Sequence, residues 1–247
     1  PEMLREIART YAKAETATIL WGMGVCQFRQ GVETVRALAS LAMLTGNLGK
    51  PNVGVNPVRG QNNVQGACDM GALFNTLPGY QSFADPETNA KFAKAWGVPS
   101  IPTKPGVPLS EVPEAIMEDK IKAFYIMGED TLQTEPDINA VKKAFEKVEL
   151  LIVQDIFMTQ TAAEADILLP ATSCAEHEGV YSAADRGFQR FYKAVEPTGD
   201  VKDDWVIISE LATAMGYPMH YNNTKEIWDE LRSLCPIYKG ATYEKME

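Results

Sequence analysis

Three short apolar runs dominate the middle of the chain: Ala123-Phe-Tyr-Ile-Met127, Leu150-Leu-Ile-Val-Gln154 and Asp166-Ile-Leu-Leu-Pro170. Each has the length and continuous hydrophobicity of a buried strand. Between the first two, Ile138, Val141, Phe145 and Val148 recur at helical spacing, and Thr134 to Asp137 resembles a capping box at the helix start. Thr159 to Ala165 fits a short helix between the second and third runs. The order is β-α-β-α-β, which requires a parallel sheet with right-handed crossovers. In such sheets ligands bind at the carboxyl ends of the strands. Gly128-Glu129-Asp130, Asp155 and the residues after Pro170 sit at those ends. An acid there bonds ribose hydroxyls or a guanine edge, or caps the next helix. Two acids in register favour the ligand.

A second strand-to-helix unit lies near the start. Leu4, Ile7, Ala8, Tyr11 and Ala12 share one helical face, and Ala17-Thr-Ile-Leu-Trp21 reads as a short buried strand. It runs into Gly22-Met-Gly24-Val-Cys-Gln27. A helix follows from about Gly31 to Leu44, with Val32, Val35, Leu38, Ala39, Ala42 and Met43 inward and Gly46 and Gly49 as stop signals. Strand, glycine turn and helix begin a nucleotide-binding α/β unit. Gln27 occupies the third glycine position of GxGxxG, so an NAD-type fingerprint is not indicated. A purely structural turn remains the alternative.

The stretch from Pro51 to Ala84 is different in kind. Only Arg59 and Asp69 are charged, and glycine, asparagine and glutamine are abundant. No period of 2 or 3.6 runs through it, which predicts irregular chain. Its neutrality suggests a segment lying inside a protein, its backbone satisfied by amide side chains. Arg59 presents a planar, permanently charged fork. Its partner is either a ligand carboxylate or phosphate, or an internal acid such as Asp69.

Further on, Asp85-Pro86-Glu87 caps a helix ending near Gly97, and Ser110 to Lys120 is expected to be helical. Residues 171–202 break the alternation and carry His177, Arg186, Arg190, Lys193 and several aromatics. His177 stands between Glu176 and Glu178, where a packed or surface residue is the commoner outcome than a metal ligand. Asp203-Asp204-Trp205 is expected to cap a helix bearing Ile208, Leu211, Ala212 and Met215, and the last helix runs from Thr224 to Cys235. His220 reads as structural.

The net charge of −10, from 23 basic and 33 acidic residues and with no basic run, argues against nucleic acid or an anionic membrane. No apolar run approaches the roughly 18 residues of a membrane span, and no signal peptide is expected. The four cysteines, Cys26, Cys68, Cys174 and Cys235, form no CxxC and suit a reducing, cytoplasmic setting. Beginning at Pro1, the chain reads as a piece of something longer.

Several stretches add a resemblance. LAMLTGNLGKPNVGVNPVRGQNNVQGACDMGAL, YIMGEDTLQT, LLIVQDIFMTQTAAEADILLPATSCAEHEGVYSAADRGFQRF and DDWVIISELATAMGYPMHYNNT resemble the catalytic subunits of molybdenum/tungsten formate dehydrogenases. These belong to the molybdopterin-guanine-dinucleotide oxidoreductases, and the formate–hydrogen lyase type is the most similar. The likeness covers essentially the whole chain. It implies a three-layer αβα fold with a mostly parallel sheet. It also implies a middle fragment: residues 1–60 end one α/β cofactor-binding domain, 61–173 and 203–247 form a second, and 174–202 make an excursion toward an iron–sulfur domain. The family's [4Fe–4S] cluster, its selenocysteine or cysteine followed by histidine, and its closing barrel domain have no counterpart in this sequence. No turnover is expected of the chain alone.

Residue by residue, the resemblance implies that Arg59 orients the formate carboxylate, with Gln61 near the same site and Gly60 allowing close approach. Gly22, Met23 and Gln27 would touch one guanine dinucleotide. Gly128, Glu129, Asp130 and Asp155 would bind the nucleotide end of the other, with Asp204 on its base or pterin edge. Gly128-Glu-Asp-Thr departs from the wider family's Gly-x-Asn-Pro, and Phe74 stands where proline is usual. The implied cofactor is bis-molybdopterin guanine dinucleotide carrying Mo or W. The implied partners are formate and an iron–sulfur electron-transfer protein or hydrogenase subunits, in anaerobic metabolism. The alternatives are a sister enzyme acting on nitrate or another oxo-anion, and an inactive nucleotide-binding module.

Overall fold

The computed structural model describes residues 1–183, 185 and 187–247; Arg186, singled out above, lies outside the described residues. The chain forms two compact units, one comprising Pro1–Gln65 with Ala183–Gly187, the other Gly66–Ser182 with Phe188–Glu247. The division between them falls within α4 (Val64–Asp69), after Gln65.

In the first unit, α1 (Glu2–Lys13) precedes β1 (Thr18–Trp21), the single-turn α2 (Met23–Cys26), α3 (Gly31–Leu44) and β2 (Gly54–Pro57). β1 and β2 pair in parallel, with Thr18 opposite Gly54 and Trp21 opposite Pro57. The turn between α2 and α3 demands glycine at position 31, since a Cβ there would lie 1.9 Å from the Cys26 carbonyl oxygen. Asn47, fully buried, fastens α3 to β1: its Oδ1 accepts from Ala17 N and its Nδ2 donates to Thr45. The apolar faces read from the spacing are only partly covered. Leu4 and Ile7 of α1 are exposed, and on α3 Ala42 is buried while Val32 and Met43 face solvent. Two strands offer too little sheet to cover both helices.

The second unit holds the larger core. After α4 (Val64–Asp69), which begins at the end of the first unit, come α5 (Pro86–Ala95) and α6 (Val112–Met117). Then β3 (Ala123–Met127), α7 (Thr131–Thr134), α8 (Ile138–Lys147), β4 (Leu150–Asp155), α9 (Gln160–Ala163) and β5 (Ile167–Pro170) form the alternating segment. The sheet order is β3-β4-β5, all parallel, as the sequence alternation requires. β4 is the central strand, and its Leu151 and Val153 are buried with Ile126 and Ala162. Val112, Ile116 and Ala144 extend the packing through α6 and α8. Each such aliphatic side chain contributes roughly 1.5–3 kcal/mol on burial.

Asp85 and Asp137 cap α5 and α8 by accepting from Thr88 N and Ala140 N. The capping box read at Thr134 is displaced by one turn: Thr134 ends α7, and its hydroxyl donates to Glu129. Residues 174–202 contain an antiparallel hairpin, β6 (Gly179–Ser182) and β7 (Phe188–Phe191). The remaining helices are α10 (Asp204–Ala214), α11 (Thr224–Leu234) and α12 (Tyr243–Met246). Phe188 packs edge-on against Trp228 and Tyr238. The Arg190 guanidinium lies 3.6 Å over the Tyr243 ring.

Pro51 to Ala84 is irregular, as its lack of period predicted, apart from β2, α4 and a single 3-10 turn at Pro78–Tyr80. Its neutrality translates into burial only in the second half. Gly66, Cys68 and Asp69 are buried, whereas residues 56–62 are exposed where the chain leaves the short sheet.

Candidate functional site

The two parallel sheets each present a carboxyl edge, and the residues singled out from sequence collect there. In the first unit, Pro57 has no N–H to donate, and Val58 N instead reaches Trp21 O at 2.8 Å. The chains after β1 and β2 therefore leave side by side. Gly22 and Met23 follow β1; Arg59, Gly60 and Gln61 follow β2. A Cβ on Gly60 would lie 3.0 Å from Met23 Cε and 3.4 Å from its sulfur, so these two residues are in direct contact. Gln27 closes α2 one turn away, its N–H on Met23 O at 2.8 Å.

Arg59, Gly60, Gln61 and Gln27 are exposed. Among the described residues, Arg59 makes no hydrogen bond or ion pair. The internal partner considered for it, Asp69, is buried in the second unit and accepts from the Tyr80 hydroxyl at 2.9 Å. An arginine fork with no internal acid is available to an external carboxylate or phosphate.

The second edge is acidic and closely tied. Gly128 leaves β3 with φ +64°, a conformation that favours glycine, and its N–H donates to Gln154 O at 2.8 Å. Glu129 accepts from the Thr134 hydroxyl. Asp130 Oδ1 accepts from the Thr161 backbone N–H at 3.0 Å and from its hydroxyl at 2.7 Å. Burial pushes the Asp130 carboxyl up, but the Thr161 and Gln160 donors outweigh it and hold it below the usual aspartate range. Asp155 Oδ1 accepts from Ile156 N at 2.7 Å and Phe157 N at 3.3 Å, a local turn. Asp204 accepts from the Gln154 carboxamide, whose oxygen accepts from Tyr125. Burial, and then the Asp204 charge, push the Tyr125 phenol up, so it remains the donor.

Sequence reading missed Gln154 and Thr161, both fully buried, which hold Asp204 and Asp130 in place. A glutamine ending an otherwise apolar strand, in LLIVQD, was the available signal. Asp130 spends one oxygen on Thr161, so its sequence role divides between ligand and structural bracket. Asp203 stands at the N-cap of α10, but its side chain accepts no N–H of that helix, contrary to the expected cap, and takes the Thr172 hydroxyl instead. Among the described residues no group of three or more His, Cys, Asp or Glu side chains is gathered so that it could hold a metal ion.

The donor set suits a dinucleotide in one respect. Carboxylates repel pyrophosphate but accept from ribose hydroxyls and the N–H edge of a guanine. The acidic edge therefore fits a nucleoside end, and the arginine edge fits an anion.

The family described as molybdopterin oxidoreductase matches residues 2–214. The chain belongs to the molybdopterin oxidoreductase family. It is 69% identical over 243 residues to formate dehydrogenase H of Escherichia coli (strain K12), covering 98% of this chain and 34% of that protein. It is 45% identical over 250 residues to the F420-dependent formate dehydrogenase 1 subunit alpha of Methanococcus maripaludis, covering 100% of this chain and 36% of that protein. The chain thus spans about a third of the length of the curated relatives it matches. Among solved structures, acetylene hydratase from Pelobacter acetylenicus matches with a TM-score of 0.66 at 20% identity, over 99% of this chain and 36% of that one. That likeness supports the mixed α/β fold with parallel sheets. No helix among the described residues is long and apolar enough to cross a membrane.

Proposed function

We propose that this chain is part of an oxidoreductase that converts formate to CO2, one proton and two electrons, and that it supplies a cofactor cradle and the substrate-orienting arginine. The observation that carries the reading is Arg59, exposed at a strand edge beside Met23 and Gly60 with no internal partner among the described residues. The identity of 69% to formate dehydrogenase H supports formate as the anion. The guanidinium fork would take both carboxylate oxygens, leaving the C–H bond as the end of formate that faces away from it. Gln61, next along the loop, would donate its amide to the same carboxylate. Glu129, Asp155 and Asp204 would hold the nucleoside end of a bis-molybdopterin guanine dinucleotide, with Asp130 contributing its remaining oxygen and Gly128 the close turn. Gly22, Met23 and Gln27 would border the second dinucleotide. When bound, that cofactor, with Mo or W, supplies the two-electron acceptor. The electrons would pass to an iron–sulfur protein or hydrogenase partner in the cytoplasm.

The test uses a full-length subunit that carries this sequence. Arg59→Lys and Arg59→Ala are expected to lower kcat/KM for formate on the order of 10²–10³-fold, with metal and pterin content unchanged. Wild-type activity in Arg59→Ala would end the proposed role. Preference for nitrate over formate in the same assay would replace the substrate.

A further inference from the structure

Asp203 forgoes the capping of its own helix, a loss of helix stability, and its carboxylate is committed elsewhere. The Thr172 hydroxyl, on a residue only 3% exposed, donates to Asp203 Oδ1 at 3.1 Å. The same hydroxyl lies 3.2 Å from Nδ1 of His177. A carboxylate only accepts, and a threonine hydroxyl carries a single proton. With that proton on Asp203, His177 Nδ1 must be a donor. The relay runs one way, from His177 Nδ1–H to Thr172 to Asp203. It fixes the imidazole tautomer and leaves Nε2 as the acceptor of the neutral ring. Phe191 meets the ring edge-on at 5.4 Å, and Tyr181 stacks on Phe191 at 4.2 Å, so the imidazole is held laterally as well.

The residue after Asp203 is Asp204, which takes the Gln154 carboxamide. Ala171 bridges Lys202 in parallel, and Thr172 N donates to Lys202 O at 3.1 Å. The first turn of α10 is therefore riveted twice to the carboxyl edge, by Gln154 from β4 and by Thr172 from the chain after β5. Only the second rivet ends in an imidazole, a group that can carry or shed a proton without leaving its hydrogen bond.

We propose that His177, acting through Thr172 and Asp203, positions Asp204 and makes the grip of the acidic edge on its ligand proton-linked. The ligand's identity rests on the nucleotide reading above; the coupling itself does not. The charged groups around the ring are Glu176 and Glu178 on either side of it in sequence, Asp203 at the N-cap of α10, and Arg190 on the hairpin, which lies 3.7 Å from Glu178. Lys193 follows the hairpin, where Asp203 and Glu178 are among its electrostatic neighbours. Glu176 is held low chiefly by the Ser173 N–H and, least, by the His177 charge. Acids outnumber bases among these groups. Protonation converts a neutral N–H···O bond into a charge-assisted one. The relay is tighter with the imidazole protonated than with it neutral.

The side-chain amide of Gln154 reports its bond to Asp204 by NMR, without cofactor or turnover. Between about pH 5 and 8.5, spanning the histidine range, its resonances are expected to move with the midpoint of the His177 imidazole. His220, the other histidine, provides an internal control. Thr172→Val and His177→Gln should each abolish that movement, and Thr172→Ser, which keeps the hydroxyl, should restore it. A Gln154 signal that stays flat in the wild type overturns the proposal, as does one that still titrates in His177→Gln. If Thr172→Val does not fold, Thr172→Ser and His177→Gln still decide. Failure here leaves the Arg59 reading intact, and failure of Arg59 leaves the relay intact.

Discussion

The two carboxyl edges are built on opposite principles. At the two-stranded edge, Arg59 stands exposed with no internal partner among the described residues, and its neighbours are glycine, glutamine and the flexible end of Met23. At the three-stranded edge, Glu129, Asp130, Asp155 and Asp204 each already hold a donor from their own unit. An edge that satisfies its own charges is preorganised and meets a ligand with the lone pairs left over. An edge with an unanswered guanidinium takes its partner from outside. Substitutions should therefore cost stability at the acidic edge and function at the arginine edge.

The largest effect on stability should come from Thr161→Val. The hydroxyl is fully buried, donates to Asp130 Oδ1 and accepts from Leu132 N at 3.0 Å. Valine keeps the shape and leaves both partners short of a bond, at a cost of about 1–3 kcal/mol. Chemical denaturation of the second unit would measure it. A loss below about 0.5 kcal/mol, the range of ordinary surface changes, would mean that the acidic edge is not internally tied and would erase the contrast.

The same knot predicts an acid limb. Asp130 is held below the ordinary aspartate value in the folded chain. Its contribution is complete above the unfolded value of about 3.9. It is lost as pH falls through the lower folded value. In Thr161→Val the hydroxyl donor is gone while the backbone donor remains, so the limb should shrink without vanishing. Unfolding midpoints followed from about pH 6 to 2.5 in both proteins would check it. Parallel curves would assign the acid sensitivity to other carboxylates.

These particulars also indicate what was legible beforehand. Strands β3, β4 and β5 and their parallel order followed from run length and alternation, because a buried central strand such as Leu150–Asp155 carries its burial in its composition, whereas the antiparallel pair β6–β7 was not read. Asp85 was read as a cap for the same local reason, whereas Asp137, read as the far end of a capping box begun by Thr134, is itself the cap. Partners of short polar side chains were not legible. Asp203 looks identical to a cap in sequence, and only the arrival of Thr172, 31 residues away, diverts it. Thr134 likewise turned to Glu129 rather than to the next helix. Gln154 was hidden because a lone amide in an apolar strand has no periodicity to mark it. On α1 and α3 the apolar spacing was real, yet Ile7 and Val32 are exposed. Periodicity names a face but not what covers it.

The smallest expected effect on stability is the most discriminating at the arginine edge. Gly60→Ala introduces a Cβ 3.0 Å from Met23 Cε, and the backbone at Gly60 is not in the left-handed region. The atom in the way is the tip of a flexible side chain that is itself 40% exposed. It can swing aside, and the change in unfolding free energy should stay within about 0.5 kcal/mol. The displacement falls one residue from Arg59, so in a full-length subunit KM for formate should rise while metal content and stability hold. A methyl group that unfolds the first unit would show its edge to be as tightly built as the acidic one. A methyl group that changes neither stability nor KM would show that the Met23–Gly60 contact does not govern where Arg59 reaches. Only the combination of intact stability and weakened formate binding keeps the two edges distinct, one maintained by its own hydrogen bonds and the other completed by its ligand.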